Sequence, residues 1–284
     1  GPERAANRGN AEFNQLAPDL AGTLVEGTVP ENEIAAMPQR PIIVHFHFFK
    51  NAGTSVETIL RKNFKKRFIS YEPGGPAQTF PASALQSILE ERPEIQAISS
   101  HTISFPPPAN PAWTVFPLVF IRHPLDRILS MYNYEKSQDS QSPGAIIARE
   151  HGPAGYITER TKVPGERTLR NYQAWMLAQN LADSNDNEAV AQAAVDVIRN
   201  LPVVGVVDDF DRSIQRLSDW LAPHFSGLRM QAVHQNRSSR PGISMQQRID
   251  RLRDIIGDDL FSRIEEENEV DLELYRLARQ KLLK

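Results

Sequence analysis

Three polar clusters in this sequence combine residue types at spacings that suit anion chemistry. The first is Lys50 to Ser55, within "HFHFFKNAGTSVETIL" (45–60). Gly53 allows close backbone approach. Thr54 and Ser55 add hydroxyl donors, and Lys50 adds a mobile ammonium. If the chain leaves a strand here and opens a helix, unpaired N–H groups and the helix dipole form an anion site. A plainer role also fits: Thr54 caps the helix, Glu57 completes a capping box, and Lys50 is a solvated charge. In the triphosphate loop G-x-x-x-x-G-K-[ST] the lysine follows the last glycine. Here Lys50 precedes Gly53. That order suits a phosphate-like group approached from the lysine side, without metal.

The second cluster is "VFIRHPLDRILSMY" (119–132). Arg122 ends an apolar run, and Ser130 falls about two helical turns on, on the side reached by Arg127. An arginine and a serine converging on one point hold a terminal phosphate well. The alternative pairs Arg122 with Asp126 and leaves Ser130 without a role. The third cluster is "ISSHTISF" (98–105), where His101 suits proton abstraction near neutral pH. It equally fits a histidine satisfied by loop backbone. His45 and His47 share one strand face and read as core or supporting groups. His151 falls in a polar stretch and is placed to contribute on substrate closure.

The elements that must position these residues can be read from periodicity. "PIIVHFHFF" (41–49), "IQAISS" (95–100), "VFPLVFIR" (115–122) and "PVVGVVDDF" (202–210) are strand candidates. Helices are expected over 54–64, 81–92, 125–136, near 167–180, 187–200 and 211–222, and as a C-terminal pair, 244–255 and 258–282. Pro124 suits a first helical turn. Residues 1–40 read as an irregular N-terminal arm, 41–284 as a single domain, and 137–165 as a polar, mobile stretch. Alternating strands and helices give a parallel sheet covered on both faces. Ligands then bind at the carboxyl ends of the strands, where all three clusters fall.

Composition narrows the chemistry. Among 284 residues there is no cysteine, which excludes disulfides and thiol catalysis. The net charge of −3 gives no global field for nucleic acid, so an anion site must be local. No apolar run approaches the roughly 20 residues of a membrane helix. The basic run "RKNFKKRF" (61–68) suits a solvated helix end, with attraction of an anionic glycan as the alternative.

"FHFFKNAGTS" resembles the 5'-phosphosulfate loop of sulfotransferases that use 3'-phosphoadenosine 5'-phosphosulfate (PAPS), and "FIRHPLDRILSMY" resembles their 3'-phosphate motif. The chain is most similar to the carbohydrate branch, the heparan sulfate 2-O- and 6-O-sulfotransferases and bacterial relatives. "RNYQAWML" (170–177), "VVGVVDDFDRSIQRL" (203–217), "NRSS" (236–239) and "NEVDLELY" (268–275) resemble later segments. The sequence departs from the pattern at Phe49, Asn51, His123 and Trp175, where proline, threonine, aspartate and arginine are usual.

The resemblance implies an α/β, P-loop-like three-layer sandwich with a central parallel sheet flanked by helices and a helical C-terminal part. It implies transfer of a sulfuryl group from PAPS to an acceptor hydroxyl, with a carbohydrate or glycoconjugate as the expected acceptor, leaving PAP, with no metal and no nucleic-acid partner. Lys50 would stabilise the leaving group and His101 would be the base. Lys50, Asn51, Ala52, Gly53, Thr54, Ser55, Arg122, Ser130, Arg237 and Ser238 would bind the nucleotide. The acceptor would lie among loops 72–80, 102–113 and 137–170, with Phe80, Phe105, Trp113 and Tyr156 available for stacking. Two other classes fit the residues: a nucleotide kinase with an atypical phosphate loop, and a non-catalytic PAP- or glycan-binding protein. The Gly1-Pro2 start resembles a protease scar, so compartment depends on what precedes it: cytoplasm for a bacterial chain, Golgi lumen if an anchor was present.

Overall fold

The computed structural model describes residues 39–72, 82–233 and 242–284. The expected N-terminal arm therefore falls almost wholly outside the described residues.

Five parallel strands lie at the centre: β1 (Arg40–Phe46), β2 (Phe68–Ser70), β3 (Ala97–Ser100), β4 (Trp113–Ile121) and β5 (Gly205–Val206). Their order is β2-β3-β1-β4-β5. From β1 the chain goes first to the edge strand β2, returns to insert β3 beside β1, and then crosses to β4 and β5 on the other side. This reversal opens a crevice at the carboxyl ends of the central strands. Between the strands run α1 (Gly53–Phe64), α2 (Ala82–Glu91), α3 (Pro124–Ser137), α4 (Pro143–Glu150), α5 (Pro153–Arg160), α6 (Tyr172–Ala178) and α7 (Asn187–Asn200). After β5 come α8 (Phe210–Leu221), α9 (Met245–Ile256), α10 (Asp258–Glu266) and α11 (Glu269–Leu283).

The strands alternate between two cores because successive side chains point to opposite faces. Ile42, Val44 and Phe46 pack with residues of α2, α6, α7 and α11. Ile43 faces the other way, with Val56, Ile59 and Leu60 of α1 and Ile214 and Leu217 of α8. Each such aliphatic side chain stabilises the fold by roughly 1.5–3 kcal/mol. A third cluster joins α3, α4, α5, α9 and α10 beside the sheet through Ile128, Met131, Ala148, Tyr156, Leu252 and Phe261.

That third cluster corrects the expectation of a mobile stretch over 137–165. Pro143 and Pro153 each open a helix, and the Ser142 side chain accepts a hydrogen bond from the Ala145 N–H. The apolar residues Ala148, Tyr156 and Ile157 are then buried. The fourth strand shrinks to two residues, because a 3-10 turn at Val207–Asp209 leads straight into α8. The last expected helix divides at Asn268, whose amide donates to Leu169 and Ile264 carbonyls. β2 was not expected from the sequence. No helix among the described residues is long and apolar enough to cross a membrane.

Candidate functional site

The connection from β1 to α1 is a strained turn. Lys50 and Ala52 have φ of 65° and 62°, left-handed values that cost a non-glycine residue roughly 1–2 kcal/mol. The turn is held by the Asn51 N–H donating to the Phe48 carbonyl at 3.1 Å and the Phe49 N–H donating to the Tyr172 hydroxyl at 3.1 Å. Helix α1 then starts at Gly53, and no side chain among the described residues caps it. The expected Thr54–Glu57 capping box is therefore not formed. Glu57 turns away because stronger partners wait: His47, Ser70 and Ser99 all reach its Oε1. Gly53 is required for a reason the sequence did not show. A Cβ there would stand 1.7 Å from His47 Cδ2, so the imidazole occupies the space a side chain would need.

Asn51 does not face the cavity. Its amide nitrogen donates to the Phe120 carbonyl at 2.7 Å and to Gln173 Oε1 at 2.7 Å. It ties the turn to the end of β4 instead of offering a contact to an anion. Gln173 completes the joint: its Oε1 accepts from the Arg122 N–H, and its Nε2 donates to the Arg122 carbonyl and to Asp271. Burial pushes the Asp271 carboxyl up from its ordinary value.

Arg122, at the end of β4, makes the ion pair that was the plainer sequence alternative. Its Nε and Nη2 both lie 2.8 Å from Asp126 Oδ2. Asp126 also accepts from Arg248 of α9, at 2.7 and 3.1 Å. One buried carboxylate thus fixes two guanidinium groups at the cavity wall. Burial disfavours its charge, but the two arginines outweigh that and hold it below the usual carboxylate range. Arg127 goes elsewhere: it is fully buried, lies 4.3 Å from the Tyr172 ring centroid, and donates to the Thr168 carbonyl. Ser130 is buried, and its hydroxyl has no hydrogen-bond partner among the described residues. A buried hydroxyl left this way costs about 1–3 kcal/mol. Unlike the other orphans nearby, it lines the cavity.

His101 follows β3 and is held by Glu72. The Glu72 Oε1 accepts from the His101 backbone N–H at 2.8 Å and lies 2.9 Å from its Nδ1. With Nδ1–H donating to the carboxylate, Nε2 is the lone-pair nitrogen. Burial lowers the imidazole's proton affinity, and the neighbouring His47 lowers it further, against the opposing pull of Glu72 and Glu57. His45 is buried, with Nδ1 2.8 Å from Ser99 Oγ; burial drives its affinity for a proton well down.

His47, Lys50, Ala52, Gly53, Thr54, Ser55, His101, Arg122, Ser130 and Arg248 all border one cavity of about 600 Å³. Asp208, Asp209 and Asp211 border the same cavity. The Lys50 ammonium rests 4.3 Å from the Tyr134 ring centroid, and burial together with Arg122 lowers its proton affinity. Arg237 and Ser238 lie outside the described residues, as does Phe80. Three of the expected stacking aromatics are core residues: Phe105 stacks on Phe46, Trp113 is buried, and Tyr156 is buried with its hydroxyl on Glu135. The exposed aromatic at the cavity is Tyr134. His123 meets Tyr275 edge to face, Trp175 packs on the first core, and His151 ends α4; none of them borders the cavity.

Glu72, Arg248 and Tyr134 were not singled out from the sequence. Tyr134 had a signal, since it lies one turn beyond Ser130 on the same helix face. Glu72 follows a three-residue strand, and Arg248 sits in an ordinary amphipathic helix, so neither carried one.

No family model matches the chain. An Archaeoglobus fulgidus protein, named as uncharacterized, is 30% identical over 241 residues, which is 83% of this chain and 95% of the relative.

Proposed function

We propose that this chain, which belongs to one family with the Archaeoglobus fulgidus protein, is a sulfotransferase that moves a sulfuryl group from PAPS to an acceptor hydroxyl, with a carbohydrate as the favoured acceptor class. The observation that carries this reading is the single cavity in which an uncapped helix start, Lys50, Arg122, the unpartnered Ser130 hydroxyl and a carboxylate-held His101 meet. Parallel strands with helices on both faces, and a strand–turn–helix at β1, support a P-loop-like reading of the fold.

In this reading the N–H groups of Gly53 and Thr54 and the hydroxyls of Thr54 and Ser55 hold the 5'-phosphate. Arg122 and Ser130 hold the 3'-phosphate, and Arg248 adds a second guanidinium on the same wall. The acceptor hydroxyl gives its proton to His101 Nε2 while its oxygen bonds to sulfur. The bond from sulfur to the phosphate oxygen breaks, and the Lys50 ammonium stabilises the charge left on PAP. A histidine whose proton affinity is lowered stays an acceptor at neutral pH. Glu72 keeps its Nδ1 protonated and so fixes the reactive nitrogen. Asn51 serves the turn rather than the ligand. Its exchange for the usual threonine is therefore compatible with activity.

The kinase reading has one observation in its favour, the carboxylates at Asp208, Asp209 and Asp211 on the cavity wall. Asp208, however, is held by the Tyr275 hydroxyl and Arg279. Lys50 also lies on the strand side of the glycine. A paired test separates the readings. PAP should raise the melting temperature without magnesium, and labelled sulfuryl transfer from PAPS to a glycan panel should vanish in Lys50→Ala. Magnesium-dependent ATP binding with no response to PAP would overturn the proposal. PAP binding with no transfer to any acceptor would leave a binding protein in its place.

A further inference from the structure

Beside His101 lies a second imidazole that the reaction above does not use. The His47 ring stacks on the His101 ring with centroids 3.7 Å apart and planes inclined by 28°. Its Nδ1 is 3.1 Å from Glu57 Oε1, and its other edge fills the space over Gly53. Glu57 is itself fixed by the Ser99 hydroxyl at 2.7 Å and the Ser70 hydroxyl at 3.1 Å. Each of the two stacked rings is therefore tied to its own carboxylate, and the pair closes one side of the cavity. The titratable groups around His101 are His47, Glu57 and Glu72, with His45 stacked behind His47 at 5.3 Å.

We propose that His47 is a positioning residue for His101: anchored by Glu57 and seated over Gly53, it holds one face of the His101 ring and places another protonatable ring against it. The reasoning is geometric and electrostatic. Face-to-face contact at this distance removes one side of the His101 ring from water. It also sets any charge on His47 directly against one on His101, and like charges so close disfavour each other. Glu72 alone would orient His101 but would also favour its cation. His47 opposes that tendency. Gly53 is then the residue that admits the second ring, which ties the anion loop and the base into one unit. This inference rests on the reading of His101 as the base.

The test uses the full chain. Long-range proton–nitrogen NMR follows the His101 imidazole through a pH titration in the wild type and in His47→Asn, with no donor or acceptor present. The pH profile of kcat is measured in parallel. The His101 midpoint and the acid limb of kcat should both move to higher pH in the variant. At pH 7 kcat should fall about tenfold while KM for PAPS stays within about twofold. If kcat falls but neither the midpoint nor the acid limb moves, His47 is structural only and the proposal fails. His47→Gln, whose amide can still reach Glu57, replaces the asparagine variant if circular dichroism shows that variant unfolded, with the same shift expected. Absence of sulfuryl transfer in every form would strike the proposed function, whereas the NMR titration decides the pairing independently.

Discussion

At the scale of single residues, two side chains separate binding from stability. Ser130 has a buried hydroxyl with no partner among the described residues, while Arg122 beside it in the cavity is already paired. Ser130→Ala should therefore leave the ligand-free protein as stable as before, or more stable by about 1 kcal/mol, because an unsatisfied donor is removed. The same change should weaken PAP binding about tenfold; calorimetry and urea unfolding check both halves. Glu57 makes the opposite case. Burial disfavours its charge, but hydrogen bonds from His47 and Ser99 hold its pKa down to about 2, against an ordinary value of 4.5. Its carboxylate stabilises the fold fully above that ordinary value. The contribution is lost as pH falls from there through about 2. Glu57→Gln should flatten the loss of stability with acid in that window, measured as melting temperature against pH.

Between elements, the joint at Gln173 links α6, β4, the β1–α1 turn and α11 through Arg122, Asn51 and Asp271. Removing it leaves several buried polar groups unpaired. Gln173→Ala should destabilise by about 3 kcal/mol and weaken PAP binding through the displaced turn, read by denaturant unfolding and thermal shift. This joint also marks how far the sequence could be read. The strands 41–49 and 115–122 and the helices after them were legible because apolar runs, Gly53 and Pro124 are local signals. The capping box was misread because Thr54 and Glu57 matched a local pattern, while Glu57's partners lie on β2, on β3 and after β1, far apart in sequence. β5 was overextended because "PVVGVV" is apolar throughout and nothing local marks where pairing stops. The grouping of Lys50, Arg122 and His101 at one sheet edge followed from strand direction alone. Glu72 and Arg248 needed the tertiary fold, since their roles lie in partners and not in neighbours.

For the molecule as a whole, ligand and fold are coupled by mass action. The cavity is bordered by the segments after β1 and β3 and by α1, α3, α8 and α9 or their approaches, so a nucleotide bound there, as proposed, would tighten all of them together. PAP at a hundredfold excess over its Kd should add about 2.7 kcal/mol. For a chain of this size that corresponds to a rise of roughly 5–10 °C in Tm, a range checked by differential scanning calorimetry. Arg122→Ala should abolish most of that rise and also lower the unliganded Tm, because Asp126 would keep only Arg248 as its counter-charge. The sheet order carries a further consequence, for the birth of the chain. β1 is made first, yet both its neighbours come later: β3 begins at Ala97, and β4 ends at Ile121. On the ribosome β1 must therefore wait, unpaired, for about fifty residues of further synthesis before β3 can close one edge, and for about seventy before β4 covers the other. The strand that delivers the lysine is thus the one most exposed to capture by chaperones or by other nascent chains.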